Sequence, residues 1–270
     1  MAEGNDAVLK VKLKGSEAGA DANGLVIGTS DSTIKGLVIN RFDGDGVQIT
    51  GFDATGNNKV EGNFIGTTAD GSGDLGNTGD GVDVFGADNN TVGGTATGAG
   101  NRIAHNGEDG VSVTFSNDTG NNVLSNSLFS NGGLGIDLGS DGVTTNDPDD
   151  PDAGANNLQN FPVITSVTGV PMTSDTFISG ELNSTPSQDF VVQCFLTDGA
   201  SVSDHGEGSL LLDTTVATTD ANGDGDFFCI SSNPILGQVS RQTVSATATN
   251  ILTTGDTSEF SLNVGVSAGL

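Results

Sequence analysis

The chain has no tryptophan and no tyrosine, and only 8 of its 270 residues are lysine or arginine. Sugar-binding faces usually offer Trp or Tyr for stacking, so their absence argues against a conventional saccharide platform. Against those few bases stand 35 aspartates and glutamates, a formal charge of −27. Such a chain is repelled by nucleic acid and by anionic lipid alike. No apolar run approaches the roughly 18 residues of a spanning helix, so membrane insertion is not expected. The opening MAEGNDAVLK lacks the apolar core of a secretory leader, so a secreted origin would imply a trimmed chain. The two cysteines, Cys194 and Cys229, are too few for a disulfide scaffold. They leave two readings open, one bridge in an oxidising compartment or two buried thiols acting as small hydrophobes.

Glycine is abundant, with 42 residues. Glycine and acid together suggest disorder, but the hydrophobic 34% gathers in short Val/Ile/Leu/Phe runs, which argues for folded β-structure. Those runs repeat. NGLVI (23–27), DGVQI (45–49), DGVDV (80–84), DGVSV (109–113) and GLGIDL (133–138) share one phrase, with Gly24, Gly46, Gly81, Gly110 and Gly135 spaced by 22, 35, 29 and 25 residues. A second phrase lies between them, in STIKGLVI, NKVEGNFI, NTVGG…NRI and NNVLSNSL. It aligns Ile34 with Val60, Val92 and Val123, and Ile39 with Ile65, Ile103 and Leu128. Asn63, Asn101 and Asn126 form a third column.

Each phrase alternates apolar and polar residues over about five positions and none shows a helical period. A unit too short to bury its own apolar face must stack on copies of itself, as in a solenoid. In a parallel β-helix each coil lies about 4.8 Å above the last, so aliphatic columns fill the interior and stacked asparagines bond amide to amide. Glycine supplies the bends, and the carboxylates are expected outside. Uneven spacing reflects insertions such as TTADGSGDLGNT (67–78) and GGTATGAG (93–100).

The phrases STIKGLVINRF, NKVEGNFIGT, LGIDLG, DGVTTNDPDDPDAGANNLQNFPV and ATATN…GDTSEFS resemble bacterial secreted right-handed parallel β-helix repeat proteins of the pectate-lyase-like superfamily, in which the helix is followed by an immunoglobulin-like module. The resemblance implies an all-β chain with a right-handed parallel β-helix over 1–158, an acidic joint at 141–158, and an immunoglobulin-like β-sandwich over 159–270. It implies a secreted or cell-surface location, and says little of activity because the fold hosts many functions. From residue 163 on, seven strand-like runs with turn signals between them fit such a sandwich.

The joint contains DPDDPDAG (147–154). Asp137, Asp141, Asn146, Asp147, Asp149, Asp150 and Asp152 supply hard oxygens in one turn-rich segment, which suits Ca²⁺. The same residues would also make a hydrated spacer stiffened by Pro148 and Pro151. DANGDGDF (220–227) mimics a calcium loop, but position twelve is Ser231 and no helices flank it; a hairpin turn explains it equally. NRIAHNGEDG (101–110) brings together Arg102, His105, Glu108 and Asp109, residue types that acid–base cleavage of an acidic polysaccharide could use. No lysine–arginine cluster accompanies them. VLKVKLKG (8–15) reads as a basic capping or edge strand, or as a strand that docks on an acidic neighbouring copy. The leading expectation is a non-catalytic structural or adhesive module, a fibre or filament subunit in its strongest form, with calcium at the joint and partners of self, cell surface or polysaccharide. The alternative is a carbohydrate-active or carbohydrate-binding β-helix, a degenerate lyase or hydrolase.

Overall fold

The computed structural model describes residues 9–51, 56–169, 175–197, 204–232 and 242–268. The first part of the chain winds in coils of three short strands. The first coil holds β1 (Val11–Lys14), β2 (Leu25–Ile27) and β3 (Thr33–Lys35), and the second β4 (Leu37–Asn40), β5 (Val47–Thr50) and β6 (Lys59–Glu61). The third holds β7 (Phe64–Ile65), β8 (Val82–Phe85) and β9 (Thr91–Gly93), and the fourth β10 (Arg102–Ala104), β11 (Val111–Val113) and β12 (Asn122–Leu124). The last coil has β13 (Ser127–Phe129) and β14 (Ile136–Leu138). Every third strand pairs in parallel, giving sheets β1-β4-β7-β10-β13, β2-β5-β8-β11-β14 and β3-β6-β9-β12.

The register places the expected columns one above another. Leu13, Ile39, Ile65, Ile103 and Leu128 are successive Cα partners, as are Ile34, Val60, Val92 and Val123. A third wall stacks Ile27, Ile49, Val84, Val113 and Leu138. From the second coil onward these residues are almost wholly buried, each contributing about 1.5–3 kcal/mol of apolar burial. At Gly46, Gly81 and Gly110 the glycine is required by space rather than by a bend. A Cβ there would lie 2.6, 2.5 and 2.7 Å from the carbonyl oxygen of the next glycine in the column.

The turns are tied by three amide ladders. Asn63 Nδ2 donates to Asn101 Oδ1 and Asn101 Nδ2 to Asn126 Oδ1, at 3.0 and 2.9 Å. Asn58–Asn90–Asn121 (3.0 and 3.0 Å) and Asn77–Asn106–Asn131 (2.9 and 3.0 Å) repeat the device. A fourth ladder uses acids. Asn23 Oδ1 accepts the N–H of Asp45, Asp45 Oδ1 that of Asp80, Asp80 Oδ1 that of Asp109, and Asp109 Oδ1 that of Leu134. The expectation that carboxylates stay outside is therefore corrected: Asp80, Asp83, Asp118 and Asp137 are buried, because a turn that needs an acceptor every coil can use Asp as well as Asn.

The second part holds β15 (Val163–Gly169), β16 (Thr176–Asn183), β17 (Asp189–Thr197), β18 (Leu210–Thr218), β19 (Asp224–Ser231), β20 (Thr243–Thr249), β21 (Val264–Gly265) and β22 (Ser267–Ala268). They form two four-stranded sheets, β19-β16-β15-β22 and β18-β17-β20-β21. Ile178, Leu182 and Phe227 from one sheet share a core with Phe190, Val192 and Val244 from the other. Cys194 on β17 and Cys229 on β19 are joined as a disulfide between the sheets, which settles the choice the two cysteines left open.

Strands β17 and β20 are buried on both faces, which explains the nearly unbroken apolar run FVVQCFLT. One face looks into the sandwich and the other closes the end of the coils. The amides of the last turns find their partners on β17 and on the neighbouring segments 207–208 and 256–259. Gly120 N donates to Asp256 Oδ1 (2.6 Å), Val123 N to Thr257 Oγ1 (2.9 Å), Ser125 N to Gln193 Oε1 (2.8 Å) and Leu128 N to the Gly208 carbonyl (2.8 Å). Asn131 N donates to Glu207 Oε1 (3.0 Å) and Leu138 N to Glu259 Oε1 (3.1 Å). Phe195 and Phe260 belong to the solenoid's hydrophobic cluster and meet edge to face at 5.3 Å. The sandwich thus occupies the place of a next coil, satisfying backbone donors and covering apolar surface that would otherwise face water.

Candidate functional site

The acidic joint leaves β14 and crosses to β15. It is not a free spacer. The Asn146 side chain bonds the Phe161 backbone in both directions (2.8 and 3.0 Å). Asp147 N donates to Asn160 Oδ1 (3.1 Å), and Asn160 Nδ2 returns to the Asp147 carbonyl (2.7 Å). Asp149 N donates to Asn183 Oδ1 (2.8 Å). These bonds fold the two prolines' turn back on itself and turn three carboxyl groups inward. One oxygen from each of Asp147, Asp150 and Asp152 lies within 4.8 Å of the others, close enough to share one ion.

Their states differ. Asp150 accepts from Asn160 N (3.2 Å), Gln159 Nε2 (2.9 Å) and the Ser184 hydroxyl. Burial still raises its pKa to about 6, with the charges of Asp152 and Asp147 adding to the effect. Asp147 Oδ1 and Asp152 Oδ1 are buried atoms without a hydrogen-bond partner. Two bare carboxylate oxygens beside a third acid make a site that a cation would neutralise. Of the seven candidate ligands, Asp147, Asp150 and Asp152 are gathered. Asn146 has both side-chain atoms committed to Phe161. Asp149 is exposed, and the two others lie by the end of β14, where Asp137 Oδ2 accepts from Gly142 N (3.1 Å) and the charge of Asp141 helps burial raise the Asp137 pKa.

A second acidic group lies on the outer face of β8 and β11. Ser112 Oγ is 2.5 Å from Asp80 Oδ2 and 3.2 Å from Asp83 Oδ1. Thr114 Oγ1 donates to Asp83 Oδ1 (3.0 Å) and Gln48 Nε2 to Asp83 Oδ2 (2.9 Å). One hydroxyl hydrogen cannot serve two carboxylates, so the short Ser112–Asp80 contact favours a proton on Asp80. Burial, with the charges of Asp109 and Asp45, raises the Asp80 pKa to about 7, and burial raises Asp45 and Asp109 to about 6. Sequence reasoning missed this group. Its signal is the aspartate that opens each DGV phrase.

Arg102 and His105 do come together, but around a ring rather than an opposing acid pair. The Arg102 guanidinium lies 4.8 Å from the Phe129 centroid and the His105 ring meets Phe129 at 5.6 Å. The Asp109 carboxylate belongs to the acidic ladder and accepts from Leu134 N. DANGDGDF forms the turn between β18 and β19, where Asp220 Oδ1 accepts the N–H groups of Asn222 (2.7 Å) and Asp224 (3.2 Å).

No family profile matches the chain, and no curated protein matches it. Among solved structures it is similar to the enzymatically active domain of tailspike protein 2 from bacteriophage CBA120, at 12% identity and a TM-score of 0.26, over 90% of this chain and 52% of that one. It is also similar to the full-length tailspike protein 2 of an Escherichia coli O157:H7 bacteriophage, at 10% identity and a TM-score of 0.23, over 88% of this chain and 38% of that one. The chain spans about half or less of those proteins' length. No helix among the described residues is long and apolar enough to cross a membrane.

Proposed function

We propose that the chain is a non-catalytic, stiff structural or adhesive module of an extracellular or cell-surface protein, a rod of parallel coils closed by an immunoglobulin-like cap. One observation carries the reading: five inward-turned acids of the solenoid and cap spend an oxygen on a backbone N–H group of a neighbouring turn. Asp45, Asp80, Asp109, Glu207 and Glu259 all do so. The strand order β19-β16-β15 against β18-β17-β20-β21 supports the immunoglobulin-like description. The disulfide, which links the third and fifth strands of the sandwich, departs from the usual second-to-sixth pairing. The disulfide also suits an oxidising exterior.

In this reading Ca²⁺ occupies the Asp147, Asp150 and Asp152 cluster and stiffens the joint. Calcium should raise the melting temperature of the intact chain, and Asp147→Asn with Asp152→Asn should abolish the rise. Identical melting curves in calcium and in chelator would remove the metal from the account. Small-angle scattering on the same samples reads the rod itself; a flexible two-body profile would remove the stiff module.

The grouping of Asp80 and Asp83 around the Ser112 hydroxyl favours a second reading, a carbohydrate-active surface on the outer face of β8 and β11. There two carboxyl groups flank one hydroxyl, and burial raises the Asp80 pKa to about 7, which suits the acid half of acid–base hydrolysis. A turnover screen on uronic-acid and neutral polysaccharides, with Asp83→Asn as control, decides it. Turnover lost in the variant would replace the structural reading.

A further inference from the structure

The outward face of β15, β16 and β19 carries a feature that neither the rod nor the joint uses. It is a shallow cleft, open to solvent, of about 480 Å³, lined by Thr165, Ser179, Glu181, Asp226 and Phe228 together with Val216 of the adjoining β18. Glu181 and Asp226 face each other directly across the antiparallel β16–β19 register. Like charges so placed repel, and neither carboxylate has a hydrogen-bond or ion-pair partner among the described residues. Beside them Phe228 and Val216 are 47% and 55% exposed, and the Phe228 ring stacks on Phe177 at 5.8 Å with an interplanar angle of 16°. Aromatic and aliphatic surface is thus left in water next to an uncompensated pair of charges.

We propose that this cleft binds an organic ammonium group, a lysine side chain being its protein-borne form. The apolar stem would lie along Val216 and Phe228, the ring face would attract the cation, and Glu181 and Asp226 would share its N–H donors. The chain displays such a group itself. Strand β1 is the outer strand of its sheet, with Lys12 and Lys14 exposed, Val11 58% exposed and Lys10 exposed just before it. A second copy and a free amine are therefore two sources of the same chemistry.

The test is an NMR titration of the intact chain at low salt with n-butylammonium, with n-butanol as the uncharged control, and with the peptide VLKVKLKG. The expected result is saturable shifts at Val216, Asp226 and Phe228 with the amine and not the alcohol, weakened at least ~10-fold in Glu181→Gln with Asp226→Asn. Both positions are exposed, and an unchanged spectrum elsewhere shows that the variant folds. Saturation by the peptide together with self-association of the chain, lost in Lys10→Gln with Lys12→Gln and Lys14→Gln, assigns the source to a second copy. Saturation by butylammonium alone assigns it to a free amine. No saturable shift with either probe, or equal binding by the double variant, overturns the proposal.

Discussion

Replacing Asp80 by asparagine should stabilise the protein at pH 8. The Asp80 carboxyl stands in a column below Asn23 and Asp45 and above Asp109, and burial raises its pKa from 3.8 to about 7. The folded pKa exceeds the unfolded one, so the folded state holds its proton where the unfolded state has released it. Stability from this group is therefore full below about pH 4 and is lost as the pH rises through about 7. At about 1.4 kcal/mol per unit, ionising Asp80 costs about 4 kcal/mol at pH 8 and less than half of that at pH 5. Asparagine keeps an oxygen for the Asp109 N–H and presents an N–H₂ to Ser112, without charge. It already performs the acceptor role at Asn23, the first rung of the same column. Urea unfolding at pH 5 and pH 8, followed by far-UV circular dichroism in chelator, reads both values. Wild type should be the more stable at pH 5, and the variant should gain about 4 kcal/mol at pH 8 and a smaller amount at pH 5. A variant less stable than wild type at pH 8, or a gain independent of pH, would refute the reasoning.

Two further outcomes follow from the cap. Phe260 is 2% exposed and would crowd any side chain at Gly135, so Phe260→Ala should cost about 3–5 kcal/mol and expose the end of the coils to hydrophobic dye. Reducing Cys194–Cys229 frees a loop of 35 residues and should cost about 4 kcal/mol. Because the sheet it braces also closes the solenoid, both parts should melt together in calorimetry.

The columns of the solenoid were legible because a coil cannot bury its face alone, so every coil repeats the same demand on sequence. Ile39, Ile65, Ile103 and Leu128 carry that demand, as do Asn63, Asn101 and Asn126. The other ladders were harder to see because their rungs sit in or beside loop insertions, as Asn77 does within 67–78, and because aspartate and asparagine exchange within one column. The strands of the sandwich were legible from residue 163 on, but its docking on the end of the coils was not. Glu207 and Glu259 meet their partners across 76 and 121 residues, and nothing local distinguishes an acid that receives a buried N–H from one that faces water. The same blindness affected the joint. Density of aspartate marked the segment, but backbone turns at Asn146 and Asp149 decided which carboxylates converge.

The most direct test of the account is the behaviour of residues 1–162 prepared without the sandwich. If the second part completes the solenoid, this fragment has unpaired amides at Gly120, Val123, Ser125, Leu128, Asn131 and Leu138 and an open apolar end. Hydrogen exchange should then find those amides unprotected and the fragment aggregated or unfolded. A monomeric fragment that keeps their protection and the melting temperature of the intact chain would contradict the claim that the sandwich is the solenoid's last turn.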